Sequence, residues 1–195
     1  MLTKLLNVAP GTKVAQPATV ATLLAQSQGG NQQAFAQLYQ DHVGAVYALC
    51  MRMTANVALA EDCTQQAFVN AWRGLAKFRG DAQFGTWLHR IAVNAVLAAQ
   101  RQDQRRHQFE VAVEQDAGEL VAQQWSSEEH DDRALEAAIA RLPERQRQVF
   151  VLHAVYGFSQ AEVATQLEIA VGSVKAHYHS ARGHLQRSLG EQDEG

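Results

Sequence analysis

Between Gln108 and Asp132 the chain carries eight carboxylates, at Glu110, Glu114, Asp116, Glu119, Glu128, Glu129, Asp131 and Asp132, and no Lys or Arg. A run of like charge resists packing into a shared core, so it divides the 195 residues into two folding blocks joined by an acidic connector. The formal net charge of −3 conceals what this does to the rest. With those eight acids and the tail acids Glu191, Asp193 and Glu194 set aside, the −3 becomes +8, so both blocks are basic.

Few β-branched runs, three prolines and a 47% hydrophobic content rich in Ala and Leu favour helix almost everywhere, so an all-α chain of two small helical domains is expected. Cys50 and Cys63 fall on different expected helices without CxxC spacing, which indicates neither a metal site nor a disulfide framework and fits a reducing cytoplasm. The first 26 residues have short apolar clusters broken by Lys4, Pro10, Lys13 and Pro17, unlike a signal peptide or membrane span. Residues 1–22 read as a flexible extension.

In the first block, 23–107, apolar side chains recur at Phe35, Leu38, Tyr39, Val46, Tyr47 and Cys50, the stripe of a core helix. Asn56 is placed to cap a second helix carrying Phe68, Ala71, Trp72 and Leu75. After the loop Lys77 to Gln83, the residues Phe84, Trp87, Leu88, Ile91, Ala95 and Ala98 mark the inner face of a third. The second block, 133–190, follows the flexible acidic linker 108–132, and 191–195 form a tail. Leu135, Ala138, Ile139 and Leu142 make a short amphipathic stretch, Pro143 suits the first turn of a helix from Glu144 to Tyr156, and Gly157 ends it. Ser159-Gln160-Ala161-Glu162 is a capping box, and Ser173 is expected to cap a last helix burying Val174, Tyr178, Ala181 and Leu185. Two helices around a short turn have helix-turn-helix proportions.

Burying that face turns Lys175, Ala176, His177, His179, Ser180 and Arg182 outward, where a major groove would meet them. In the first block, Arg90, Asn94, Arg101 and Arg105 lie at helical spacing beside the aromatic-flanked loop Phe78 to Phe84. Asn offers a donor and an acceptor together, which suits the edge of an unstacked base, while the arginines suit phosphates. A basic stripe by itself is usually a solvated face, and Phe84 with Trp87 is more often core than a stacking platform.

The stretches LLAQSQGGNQQAFAQLYQDH, AEDCTQQAFVNAW, FRGDAQFGTWLHRIAVN and LPERQRQVFVLHAVYGFSQAEVATQLEIAVGSVKAHYHSAR, in that order, resemble the extracytoplasmic-function group of bacterial sigma factors, over about Leu23 to Leu189. The resemblance implies a factor that directs RNA polymerase core to promoters and assists melting, not an enzyme, with no cofactor, metal or small-molecule substrate. It implies that Asp62, Gln65, Phe68 and Trp72 dock on the clamp helices of the largest polymerase subunit, and that the polymerase flap is a contact as well. Lys77, Phe78, Arg79, Phe84, Trp87, Arg90, Asn94 and Arg101 match the surface that takes melted minus-ten DNA. Ser159, Gln160, Ser173, Lys175, Ala176, His177, His179, Ser180 and Arg182 match the face that reads the minus-thirty-five element. It further implies a cytoplasmic stress-response factor sequestered by an anti-sigma factor, including the membrane-anchored kind.

Many relatives carry more arginine where this chain has His177 and Ser180, so protonation of His177 or His179 below about pH 6.5, the ordinary imidazole range, is expected to strengthen promoter binding. Two rival readings are weaker. A response-regulator or quorum-sensing type activator shares the VKAHYH stretch but leaves the first block unexplained. A metalloenzyme with His153, His177, His179, His184 and the acidic cluster as ligands fails on geometry, since His177 and His179, two apart on a helix, point about 200° apart, and His177 and His184 are roughly 10 Å apart.

Overall fold

The computed structural model describes residues 19–109 and 130–190. The expected extension up to residue 18, most of the acidic linker and the tail lie outside the described residues. The described residues are helical apart from short caps and turns, as the composition requires. The chain divides after Tyr39 into two compact units.

In the first unit, α1 spans Val20–Gln28 and starts where Thr19 Oγ1 accepts from the Thr22 amide at 3.3 Å. Helix thus begins inside the stretch expected to be extension. Two glycines follow, and Gly30 takes φ +89°, a conformation open to glycine at little cost. Asn31 then caps α2, Gln32–Thr54, through Oδ1, which accepts from the amides of Gln33 at 2.9 Å and Ala34 at 3.2 Å.

Most of α2 belongs to the second unit, where Val46, Leu49, Cys50 and Met53 are fully buried. The helix stops at Ala55, which turns to φ +51°. Asn56 caps α3, Val57–Gly74, by accepting from the Leu59 amide at 2.9 Å, as the sequence indicates. Ala60, Cys63, Thr64, Ala67, Phe68 and Ala71 form its buried face, and apart from Phe68 these are small residues that let α4 approach closely. A single 3-10 turn, Leu75–Lys77, leads into the loop.

Helix α4 runs Phe84–Phe109. Its buried band is Phe84, Leu88, Ala92, Val93, Ala95, Val96 and Leu97, wider than the stripe read from the sequence; Ala98 is exposed and Ile91 half-buried. The width has a cause. One side of α4 packs on α3, and the other meets the helices of the C-terminal block.

That block comprises α5, His130–Ala140, α6, Glu144–Phe150, α7, Gln160–Leu167, and α8, Val171–Gly190. Three local expectations are corrected. Pro143 is the N-cap residue of α6, one position before its first turn. The helix continuing to Tyr156 is not uniformly α: Val151–Val155 form a π turn, with the Tyr156 amide reaching back five residues to the Val151 carbonyl at 3.1 Å. His153 Nδ1 meets the Phe158 carbonyl at 2.7 Å and fixes the exit, after which Gly157 takes φ +72°. Ser173 does not cap α8, because the helix starts two residues earlier and the Val174 amide already donates to the Ala170 carbonyl.

The capping box at Ser159 forms as expected: Ser159 Oγ accepts from the Glu162 amide at 3.2 Å, and Glu162 Oε2 accepts from the Ser159 amide at 2.9 Å. Glu168 closes α7 in the left-handed region at φ +55°, ψ +44°. Ile139, Leu152, Val163, Leu167, Val174, Ala181 and Leu185 make the core under these helices.

Candidate nucleic-acid interface

Three aromatic rings brace the loop between α3 and α4. Phe78 lies 6.0 Å from Phe84 and 4.9 Å from Trp87, and Phe84 lies 5.7 Å from Trp87, centroid to centroid. His42 of α2 meets the Phe84 ring edge-on at 5.2 Å. The Trp87 ring runs so close to Gly74 that a Cβ there would stand 3.4 Å from it. Phe84 is buried, Phe78 and Trp87 half-buried, so these rings serve first as a hydrophobic brace. Lys77 and Arg79 are exposed on the loop, which turns at Gly80 with φ +80°.

Along α4 the outward residues Arg90, Asn94, Arg101 and Arg105 are all exposed, and their spacing keeps them within about 60° of one another around the axis. Asn94 therefore presents its amide to solvent in line with three guanidinium groups. Two of those groups have partners. Arg90 Nη2 lies 2.8 Å from Glu162 Oε1 and Arg101 Nη2 lies 2.8 Å from Glu168 Oε1, carboxylates at the start and end of α7.

On α3, Asp62, Gln65 and Trp72 are exposed, but Phe68 is only 4% exposed and faces the core. The exposed apolar residue between Gln65 and Trp72 is instead Val69. Asp62, Gln65, Val69 and Trp72 follow a three-four-three spacing, one continuous stripe whose second apolar member the sequence reading missed. The spacing was the available signal.

On α8, Lys175, Ala176, His179, Ser180 and Arg182 are exposed, while Ser173 and His177 are half-buried. Gln160 is half-buried at the first turn of α7, and the Ser159 hydroxyl is engaged in its capping box. The face that would enter a groove is thus held by Val174, Ala181 and Leu185 beneath it and by the stacked pair Phe150 and Tyr178, 6.1 Å apart.

Sequence reasoning missed the groups that join the two blocks. Arg147 of α6, 8% exposed, donates to the carbonyls of Met53 at 3.3 Å and Thr54 at 3.1 Å, the C-terminal end of α2. It also donates to Ala140 at 3.3 Å and Leu142 at 3.0 Å. Arg52 Nε donates to Glu136 Oε1 at 2.8 Å and its Nη1 to the Tyr156 hydroxyl at 3.3 Å. Burial pushes the Tyr156 phenol up and the Arg147 guanidinium down from their ordinary ranges. Cys50 and Cys63 are buried, and desolvation raises their thiols to about 12 and about 11, so neither is a reactive thiolate.

A helical protein with a loop-and-helix basic surface in one block and a capped helix-turn-helix in the other belongs to the class of DNA-binding transcription factors. Residues 38–106 match the family described as Sigma-70 region 2, and residues 132–185 match Sigma-70, region 4. The chain is 31% identical over 174 residues to the ECF RNA polymerase sigma factor SigW of Bacillus subtilis, covering 84% of this chain and 93% of that one. It is 34% identical over 170 residues to the ECF RNA polymerase sigma factor SigM of Mycobacterium tuberculosis, covering 87% and 84%. Among solved structures it is similar to the sigma factor RpoE of Bartonella quintana, in complex with the anti-sigma factor NepR, with TM-score 0.61, 25% identity and coverage of 80% and 96%. It is also similar to CnrH in complex with the cytosolic domain of CnrY, with TM-score 0.53, 27% identity and coverage of 90% and 99%. The chain belongs to the extracytoplasmic-function group of RNA polymerase sigma factors.

Proposed function

We propose that the stripe Asp62, Gln65, Val69 and Trp72 docks on RNA polymerase core, that the braced loop with Asn94 captures melted minus-ten DNA, and that α8 reads the minus-thirty-five duplex. The observation that carries this division of labour is the exposure of Asn94 in line with Arg90, Arg101 and Arg105, beside a loop whose aromatic rings hold Lys77 and Arg79 outward. An exposed amide flanked by cations fits a single strand, whose bases offer hydrogen-bonding edges and whose phosphates need charge. Lys175, His179, Ser180 and Arg182 suit duplex, with a helix face to enter the groove and polar groups for phosphate and base edges. Synthesis then belongs to the polymerase, and the factor supplies address and melting.

By likeness to the two solved complexes, this chain too is held by an anti-sigma factor until a signal releases it. It works in the cytoplasm beside the polymerase, and no described helix is long and apolar enough to cross a membrane. Runoff transcription with purified core polymerase on a library of upstream sequences tests the reading. Specific initiation with a shared minus-ten and minus-thirty-five pair is expected; no specific start above core alone defeats it.

A further inference from the structure

A helix that reads base edges must be held at a fixed roll about its own axis. On a helix about 5 to 6 Å in radius, a roll of about 20° carries a side-chain tip about 2 Å. That exceeds the range of lengths over which a hydrogen bond forms. The buried anchors of α8 resist such a roll weakly, because Val174 and Ala181 are small and Leu185 lies a turn further on. Tyr178, half-buried, is the large ring between them, with Lys175 three residues before it and Arg182 four after, neighbours on the helix surface. It is held from two directions. The Phe150 ring stacks on it at 6.1 Å and 19°, and the His153 ring meets it edge-on at 4.9 Å and 81°.

The same imidazole also holds the other helix of the motif. A carbonyl only accepts, so the 2.7 Å contact with the Phe158 carbonyl is a bond donated by His153 Nδ1–H. The Phe158 amide donates to the Leu152 carbonyl at 3.0 Å, so the residue just before the Ser159 cap of α7 is gripped by the π turn on both sides. π turns are rare and recur at functional sites, and this one brings His153 to both contacts. We propose that His153 is a positioning residue for reading the minus-thirty-five element: one ring ties α7, through Phe158, and α8, through Tyr178, to the π turn, and so sets the angle at which Lys175, His179 and Arg182 meet the groove. The proposal rests on reading α8 as the duplex-reading face. His153 lies on neither helix of the motif, so it acts through them.

The test uses the full-length chain at limiting amount with purified core polymerase. It compares runoff transcript from an upstream sequence that the unaltered chain selects with transcript from the same DNA scrambled at its minus-thirty-five element. Unfolded protein cancels from that ratio, so a loss of stability alone does not move it. His153→Ala is expected to lower the ratio about tenfold, the discrimination of one base-edge contact. His153→Phe keeps a ring and His153→Asn keeps a donor, and each is expected to fall between; where His153→Ala does not fold, these two carry the expectation. His153→Ala combined with Tyr178→Ala should cost little more than either alone, since both act through one contact. An unchanged ratio in His153→Ala overturns the proposal, as does an original ratio in the Phe or the Asn variant, or full additivity in the pair. Replacing Lys175, His179 and Arg182 together by Ala separates the proposal from the reading beneath it. If that variant loses the ratio while His153→Ala keeps it, the reading of α8 stands and the positioning role falls; if that variant keeps the ratio, both fall.

Discussion

At the scale of single residues, burial separates architecture from contact. The sequence points to both Asn94 and Phe68 as contact residues, yet one faces solvent and the other the core. Asn94→Ala should therefore leave folding stability within about 0.5 kcal/mol while impairing promoter opening, since exposed sites away from caps and networks cost little. Permanganate footprinting of the melted strand, beside a denaturation curve, checks both halves. Phe68→Ala should instead lose roughly 3 to 5 kcal/mol, as a ring removed from a packed helix face leaves a void. Arg147→Ala is the strongest test of a polar residue's structural worth. It strips the donors from four carbonyls and is expected to cost about 2 to 4 kcal/mol in urea unfolding; Arg147→Lys restores only part, because an ammonium cannot reproduce the planar fork. Phe68's aromatic character was visible in the sequence, but which way it turned depended on the phase of α3. Arg147 was unreadable there because its partners Met53 and Thr54 lie more than ninety positions upstream.

At the scale of elements, the ends that use local chemistry could be read, and those set by distant packing could not. Asn56 and the Ser159–Glu162 box bond within three residues of themselves, so the pattern alone announced them. Val174, Ala181 and Leu185 on the buried face of α8 followed for the same reason, from a period of 3.6 residues, whereas Tyr178, expected beside them, is half-buried. The π turn at Val151–Val155 has no comparable local signature; the His153 contact with the Phe158 carbonyl exists only once the chain has turned. Glu168 ends α7 in a left-handed conformation usually given to glycine or asparagine. Glu168→Gly should accordingly raise stability by about 0.5 to 1 kcal/mol, because relieving that backbone outweighs an exposed ion pair with Arg101. A higher melting midpoint for the variant checks it, and a lower one would show that the Arg101 pair contributes more than exposed pairs ordinarily do.

At the scale of the whole described chain, the polar seam between α2, α4 and the C-terminal block is where pH should act. His89 of α4 packs its ring edge-on against Tyr156 at 5.2 Å, beside the Arg52 guanidinium that bonds the same tyrosine. Burial, and then the neighbouring His42, hold the His89 imidazole below its ordinary 6.5. A histidine depressed in the folded state binds its proton more readily when unfolded, so its neutral form supports the fold above pH 6.5, and that support is lost as pH falls through the lower folded value. Glu162 titrates in a different window. The Ser159 backbone and hydroxyl hold its carboxyl below the ordinary 4.5, so its contribution is present above 4.5 and disappears only in stronger acid. Two steps are therefore expected in unfolding free energy against pH, one beginning just below 6.5 and one below 4.5. His89→Gln should flatten the first and leave the second, whereas Glu162→Gln should do the reverse with the capping geometry retained. Urea titrations of both variants between pH 2 and pH 7.5 decide it. A first step that survives His89→Gln would place the titrating group elsewhere than at the Tyr156 contact.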